Sequence, residues 1–235
     1  MILLVAAFGV GAVASLGYYY RKLTKKHLPI ANVDTGGNKF LFSEAPPIDR
    51  IAKRFVNPND TSNLNLVLYQ YEPCPFCKKV RAFLDFSGLS YDVVEVNSVT
   101  KKQVSWSDYK KVPIVIVKSK FGYQQLNDST VIISALTSLL LDPSQDITDV
   151  VKCYPKMDFI DDDGTKRSEI MNRYFLMFGD QDLVCEQSPQ GRSKESIVEE
   201  RRWRKWSDEV LIHTISPNIY RTWEEALEAF QMFSK

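Results

Sequence analysis

Histidine is nearly missing from this 235-residue chain: His27 and His213 are the only two. Cysteine is scarce as well, limited to Cys74, Cys77, Cys153 and Cys185. A structural zinc site needs four such ligands at suitable spacing. Cys74-x-x-Cys77 offers two and the other cysteines stand alone, so no metal is expected. The same scarcity argues against a disulfide framework, because a lone C-x-x-C loop closes too little chain to staple a fold. Surplus charge is also lacking. Thirty Lys and Arg balance 29 Asp and Glu, a formal net charge of +1, so no global basic field points to nucleic acid as a partner. No internal repeat is visible. No basic region precedes the first apolar run and no small-residue cleavage site follows it, which disfavours a cleaved secretory signal.

That first run is the one long apolar stretch. Ile2 to Tyr20 carries no charge, and at about 1.5 Å per residue it spans roughly 28 Å, close to the bilayer core. Tyr18, Tyr19 and Tyr20 suit the interface, and Arg21, Lys22, Lys25 and Lys26 follow at once. Basic residues on this flank predict a membrane anchor over residues 1–20 with the body on the cytosolic side. The charges do not choose among Golgi, endoplasmic reticulum and mitochondrial membranes.

The richest signal is Tyr71-Glu72-Pro73-Cys74-Pro75-Phe76-Cys77. It lies between an apolar alternating run and a helix-like one. Strand, C-x-x-C, helix is the setting in which two cysteines do redox or nucleophilic chemistry. A thiol at a helix start meets unpaired N–H groups and the positive end of the dipole, and both favour the reactive thiolate. Cys74 is therefore read as the nucleophile and Cys77 as its supporting thiol. Lys78, Lys79 and Arg81 are expected to add positive charge.

Residues 21–62 read as a linker with turn formers and one short edge strand around Phe40 to Phe42. Residues 63–142 read as one α/β unit: strands at Leu64 to Tyr71, Tyr91 to Val96, Ile114 to Val117 and Tyr123 to Leu126. Helices are expected at Pro75 to Ser87, weakly at Lys101 to Lys110, and after the Asp128-Ser129 cap. Residues 143–165 read as a polar linker. There, Asp161-Asp162-Asp163-Gly164 lacks the ligand spacing of a calcium loop and predicts a solvated turn. Residues 166–235 read as helical, with helices at Ile170 to Phe178, from a Ser196/Glu199 capping box to about His213, and at Trp223 to Phe233. Trp203 and Trp206 fall on one helical face and are read as core.

Cys74-Pro75-Phe76-Cys77, Val112-Pro113 and Asp128-Ser129, in that order, resemble the glutaredoxin branch of the thioredoxin fold. That resemblance implies a cis proline at Pro113, glutathione paired to the Val112 backbone, and Asp128 and Ser129 at its γ-glutamyl end. More of the chain is similar to the membrane-associated prostaglandin E synthase 2 family. The phrases Glu199 to Trp206 and His213 to Thr222 carry that likeness. It implies a thioredoxin-like domain followed by an all-α glutathione-transferase-like domain that continues past Lys235, so an incomplete helical domain is expected. It implies isomerisation of prostaglandin H2 to prostaglandin E2, with Cys74 or glutathione as the thiol and Tyr71 as a hydrogen-bond donor, and it names prostaglandin H2 or a related lipid peroxide as the partner. Phe76 would line the pocket. The family likeness also admits haem held with glutathione, lined by His213 and Ser216, and a homodimer. Two other readings stand beside it: a glutathione-dependent thiol–disulfide oxidoreductase, and a non-catalytic membrane protein that binds glutathione or haem.

Overall fold

The computed structural model describes residues 31–33, 40–177 and 193–233. The expected anchor over residues 1–20 lies outside them. Among the described residues no helix is long and apolar enough to cross a membrane. Two compact units are present.

The smaller unit contains a three-stranded antiparallel sheet of β1 (Ala31–Val33), β8 (Lys156–Ile160) and β9 (Lys166–Ile170), in the order β1-β8-β9. The acidic run Asp161 to Gly164 is the β8–β9 turn. Gly164 takes φ +83° and donates to the Asp161 carbonyl at 2.8 Å. Arg167 lies 2.6 Å from the Asp161 carboxylate, so the acidic turn is answered from within its own hairpin.

The larger unit is built on a six-stranded mixed sheet, order β2-β7-β6-β4-β5-β3. Its strands are β2 (Leu41–Phe42), β3 (Lys53–Phe55), β4 (Leu66–Gln70), β5 (Tyr91–Glu95), β6 (Ile114–Ser119) and β7 (Gly122–Asn127). Only β4 and β5 run parallel, joined by a crossover through helix α1 (Pro75–Phe86). Val80 and Leu84, four residues apart on one face of α1, are buried, and Gly88 ends it at φ +68°. The Leu89 N–H returns to the Leu84 carbonyl at 3.0 Å, which satisfies an orphan carbonyl of the last turn. Helix α2 (Ser129–Leu141) packs against α1 and buries Val131, Ile132, Leu136 and Leu139. A second apolar layer joins Tyr69, Val94, Val96, Ile114 and Ile116, with Val104 and Trp106 packed on it.

Several elements depart from the sequence reading. Lys101 to Lys110 forms one 3-10 turn, Lys102–Val104, after Lys101 takes φ +50°. Residues 143–165, read as a linker, hold α3 (Ile147–Lys152) and β8. Asp146 caps α3 at the Thr148 N–H, 2.9 Å away. The expected helix from Ile170 does not form. Ile170 closes β9, Asn172 at φ +57° turns the chain, and Met171 donates to the Pro155 carbonyl instead. The helix expected from Ser196 starts earlier, as α4 (Lys194–Trp206), with Ser193 as its cap. One π turn, Ser207–Leu211, leads into α5 (Ile212–Ile219), and α6 (Trp223–Phe233) follows. Trp203 and Trp206 are 59% and 42% exposed, not core. They stack edge to face on each other, ring centroids 5.4 Å apart, on an outward face.

Candidate functional site

Strand register alone gathers the site. Tyr69 of β4 is level with Ile114 of β6, and Ile114 is level with Asn127 of β7. The next residues of each strand path therefore meet at one end of the sheet. Those residues are Gln70-Tyr71 leading to Cys74, Val112-Pro113 leading into β6, and Asp128-Ser129 opening α2. The Val112–Pro113 peptide is cis.

Within the loop, Cys74 is the N-cap residue of α1 and Pro75 its first residue, where a missing N–H costs nothing. The Cys74 N–H donates to the Tyr71 carbonyl at 2.9 Å, and Lys78 N–H donates to the Cys74 carbonyl at 3.0 Å. Tyr71 N–H in turn points at the Cys77 sulfur, 3.5 Å away. Both cysteines are free thiols, Cys77 fully buried and Cys74 half-exposed. Phe76 and Tyr71 are also half-buried beside them.

The two sulfurs are electrostatically unequal. The Cys77 thiol donates to Cys74 and holds its pKa down to about 6; burial opposes this, and the Cys77 and Phe76 N–H groups at the helix start assist it. Cys77 goes the other way: it is the hydrogen-bond donor to a neighbouring thiolate and it is buried, so its proton is held far more tightly than an ordinary thiol's. The pair thus keeps one negative charge, on the exposed sulfur. The basic residues expected to help are not among the causes. Lys79 turns away to Thr130 and Asp208, at 2.6 Å each, and Lys78 is exposed.

Asp128 caps α2, accepting from Thr130 and Val131 N–H at 3.0 and 3.2 Å. Its carboxylate also takes a two-pronged contact from Arg173, at 3.2 and 2.8 Å. Ser129 is buried at the first position of the helix. Tyr109 is half-buried near this end; burial first, and the neighbouring Asp128 carboxylate second, push its hydroxyl up to about 12. Sequence reading passed over Arg173, Asp208 and Tyr109, and gave Lys79 a different task. Their partners lie tens of residues away, so no local spacing marks them.

His213 lies exposed on α5, and the Ser216 side chain is outside the described residues. An exposed imidazole lacks the apolar enclosure that a macrocycle such as haem requires, so the described residues do not fit haem. Glutathione fits better. A peptide backbone can pair beside a cis proline, and Ser129 at the start of α2 suits a carboxylate.

Sheet order, the crossover helix and a C-x-x-C at its start define a thioredoxin-like domain, and residues 68–140 match the family model "Glutathione S-transferase, N-terminal domain". Across 170 residues, 72% of the chain, it is 47% identical to "Prostaglandin E synthase 2" of Mus musculus. It is equally 47% identical over 169 residues to the protein of the same name from Danio rerio. That degree of identity makes the chain a relative of the prostaglandin E synthase 2 proteins. The match spans 43% of the length of each of these relatives.

Proposed function

We propose that this chain is the thiol-bearing part of a prostaglandin E synthase, isomerising prostaglandin H2 to prostaglandin E2 with Cys74 as the key thiol. The observation that carries the reading is the division between the sulfurs, an accessible Cys74 held near thiolate at neutral pH and a sealed, protonated Cys77. The Cys74 thiolate attacks one endoperoxide oxygen, forming an S–O bond as the O–O bond breaks. The departing oxygen takes up a proton and becomes a hydroxyl. A base then removes the hydrogen from the carbon bearing the S–O oxygen, the C=O bond forms, and the S–O bond breaks to return the thiolate. No net oxidation occurs. In this reading Tyr71 donates a hydrogen bond to substrate oxygen and Phe76 offers apolar surface to the lipid; both are half-buried beside the thiol loop.

Glutathione, bound along the Val112 backbone with its γ-glutamyl end at Asp128 and Ser129, would supply a second thiol. Arg173 already occupies part of the Asp128 carboxylate, so an ammonium would share that group with a guanidinium. Haem is not carried into the reading. The apolar segment at residues 1–20 and the basic residues Arg21, Lys22, Lys25 and Lys26 after it support a membrane anchor with the body on the cytosolic side, and a homodimer belongs to the same family-based reading. Deleting residues 1–20 should move the protein from the membrane pellet to the supernatant.

The deciding experiment incubates the full chain with prostaglandin H2, with and without glutathione, and resolves products by mass spectrometry. Prostaglandin E2 above the spontaneous background, lost in Cys74→Ser, supports the isomerase. Background-level product from folded protein sinks it. A second reading, thiol–disulfide exchange, is favoured by the retained Cys77. Turnover of a glutathione mixed disulfide, without isomerised product, would select it.

A further inference from the structure

Behind the thiol site lies a buried polar triangle that neither the proposed chemistry nor the motifs account for. Lys79 sits on α1, two residues past Cys77. Its ammonium donates to Thr130 Oγ1 and to Asp208 Oδ1, each at 2.6 Å. The Thr130 hydroxyl, having accepted from Lys79, donates its own proton to Asp208 Oδ2. Thr130 has no exposed surface, and the Asp208 side chain keeps 5% of its own. Burial alone would raise the Asp208 carboxyl; the hydrogen bonds from Lys79 and Thr130 outweigh it and hold the group below the usual range. Burial also works against the Lys79 ammonium, yet contacts this short to a carboxylate are those of a charged pair.

Three elements are joined here. Lys79 belongs to the helix that begins at Cys74. Thr130 belongs to the first turn of α2, next to Ser129 and two residues from Asp128. Asp208 comes from the π turn after α4, and such wide turns re-aim side chains and recur at functional sites. Two arginines brace the same corner. Arg173 grips Asp128 and lies 4.0 Å from Asp208. Arg204 donates to Ser134 Oγ at 2.5 Å and to the Thr130 carbonyl at 3.4 Å.

We propose that Asp208 is a positioning residue of the site. It locks the start of α2 to the thiol-bearing helix and so presets the seat of the glutathione γ-glutamyl group. The inference rests on the glutathione reading of that seat. Asp208 is not among the causes of the Cys74 titration, which is set locally by Cys77, burial and the α1 amides. Positioning and thiol activation should therefore separate.

The test uses the full chain and three variants. Thr130→Val keeps shape and removes the hydroxyl, Thr130→Ser restores it, and Asp208→Asn removes the charge. Glutathione affinity is read by titration calorimetry, and the pH profile of Cys74 alkylation by iodoacetamide is read by mass spectrometry. Thr130→Val should bind glutathione roughly tenfold more weakly, Thr130→Ser should bind nearly as the unmodified chain does, and the alkylation midpoint should not move in either. Asp208→Asn, if folded, should follow Thr130→Val; if it does not fold, the threonine pair still decides. Folded Thr130→Val that binds as tightly as the unmodified chain overturns the proposal. So does an affinity loss accompanied by a shifted midpoint and not rescued by serine, which is what general loosening would do. An unmodified chain that fails to bind glutathione removes the reading of the seat before any variant is compared, and the inference with it.

Discussion

Two thiols three residues apart begin chemically alike and end far apart, and the causes are the hydrogen bond between them and their unequal depth. Cys77 faces inward on the first turn of α1, where its hydrogen bond to Cys74 and then burial keep its proton on. That proton then becomes the donor that lowers Cys74 to about 6. The alkylation rate of Cys74 should therefore fall as pH drops through about 6 and level off above it, because only the thiolate reacts. Cys77→Ser keeps the loop but replaces a bulky sulfur donor, and Cys77→Ala removes the donor. In Cys77→Ala the midpoint should rise toward the ordinary thiol value of about 8.5. An unmoved midpoint would show that the helix-start amides act without help. At the same scale, Asp128→Ala removes a helix cap and frees Arg173. It should cost about 1–2 kcal/mol in denaturant unfolding, with m unchanged.

At the scale of elements, the legible parts are those whose cause is local. The apolar alternating run from Leu64 and the helix-like run after the cysteines mark β4 and α1 within a residue or two of their observed ends. Asp128 marks the start of α2. The cysteines and the Val112-Pro113 pair are likewise readable as motifs. Illegible are features decided by distant partners. The helix expected at Ile170 loses to pairing with β8, because Lys156 stands opposite Ile170 in the hairpin. The tryptophans of α4 have core spacing but meet no partner surface among the described residues that buries them. Arg173 and Asp208 find their partners, Asp128 for one and Lys79 and Thr130 for the other, only when segments far apart in the chain come together. Gly122 is a further case. At φ +134° it opens β7, and a Cβ there would stand 2.1 Å from the Phe42 carbonyl oxygen. Gly122→Ala should detach β2 and lower stability by about 1–3 kcal/mol. Faster hydrogen exchange at Leu41 and Phe42, without change at β4, would localise the damage.

Across the whole molecule, the question is whether the thiol pair conserves electrons or passes them on. An isomerase returns its thiolate each cycle, so product should accumulate without matching formation of glutathione disulfide. Coupling the reaction to glutathione reductase and following NADPH should show no consumption beyond background while prostaglandin E2 forms. Stoichiometric consumption would assign the pair to reductive chemistry instead. Prior oxidation of Cys74 to Cys77 should abolish turnover, and a dithiol reductant should restore it.

The margins of the six-stranded sheet bear on a different matter, how this molecule behaves in a crowd of its own kind. A long bare border strand is a template on which another chain can polymerise. Here one border is β2, two residues long, and the other is β3, three residues long. β3 carries Lys53 and Arg54, held outward by Glu72 and by a two-point contact to Asp92. A strand approaching that border finds few open amides and must first displace fixed charges. Among the described residues, the two shortest strands of the sheet are thus the ones that stand at its borders.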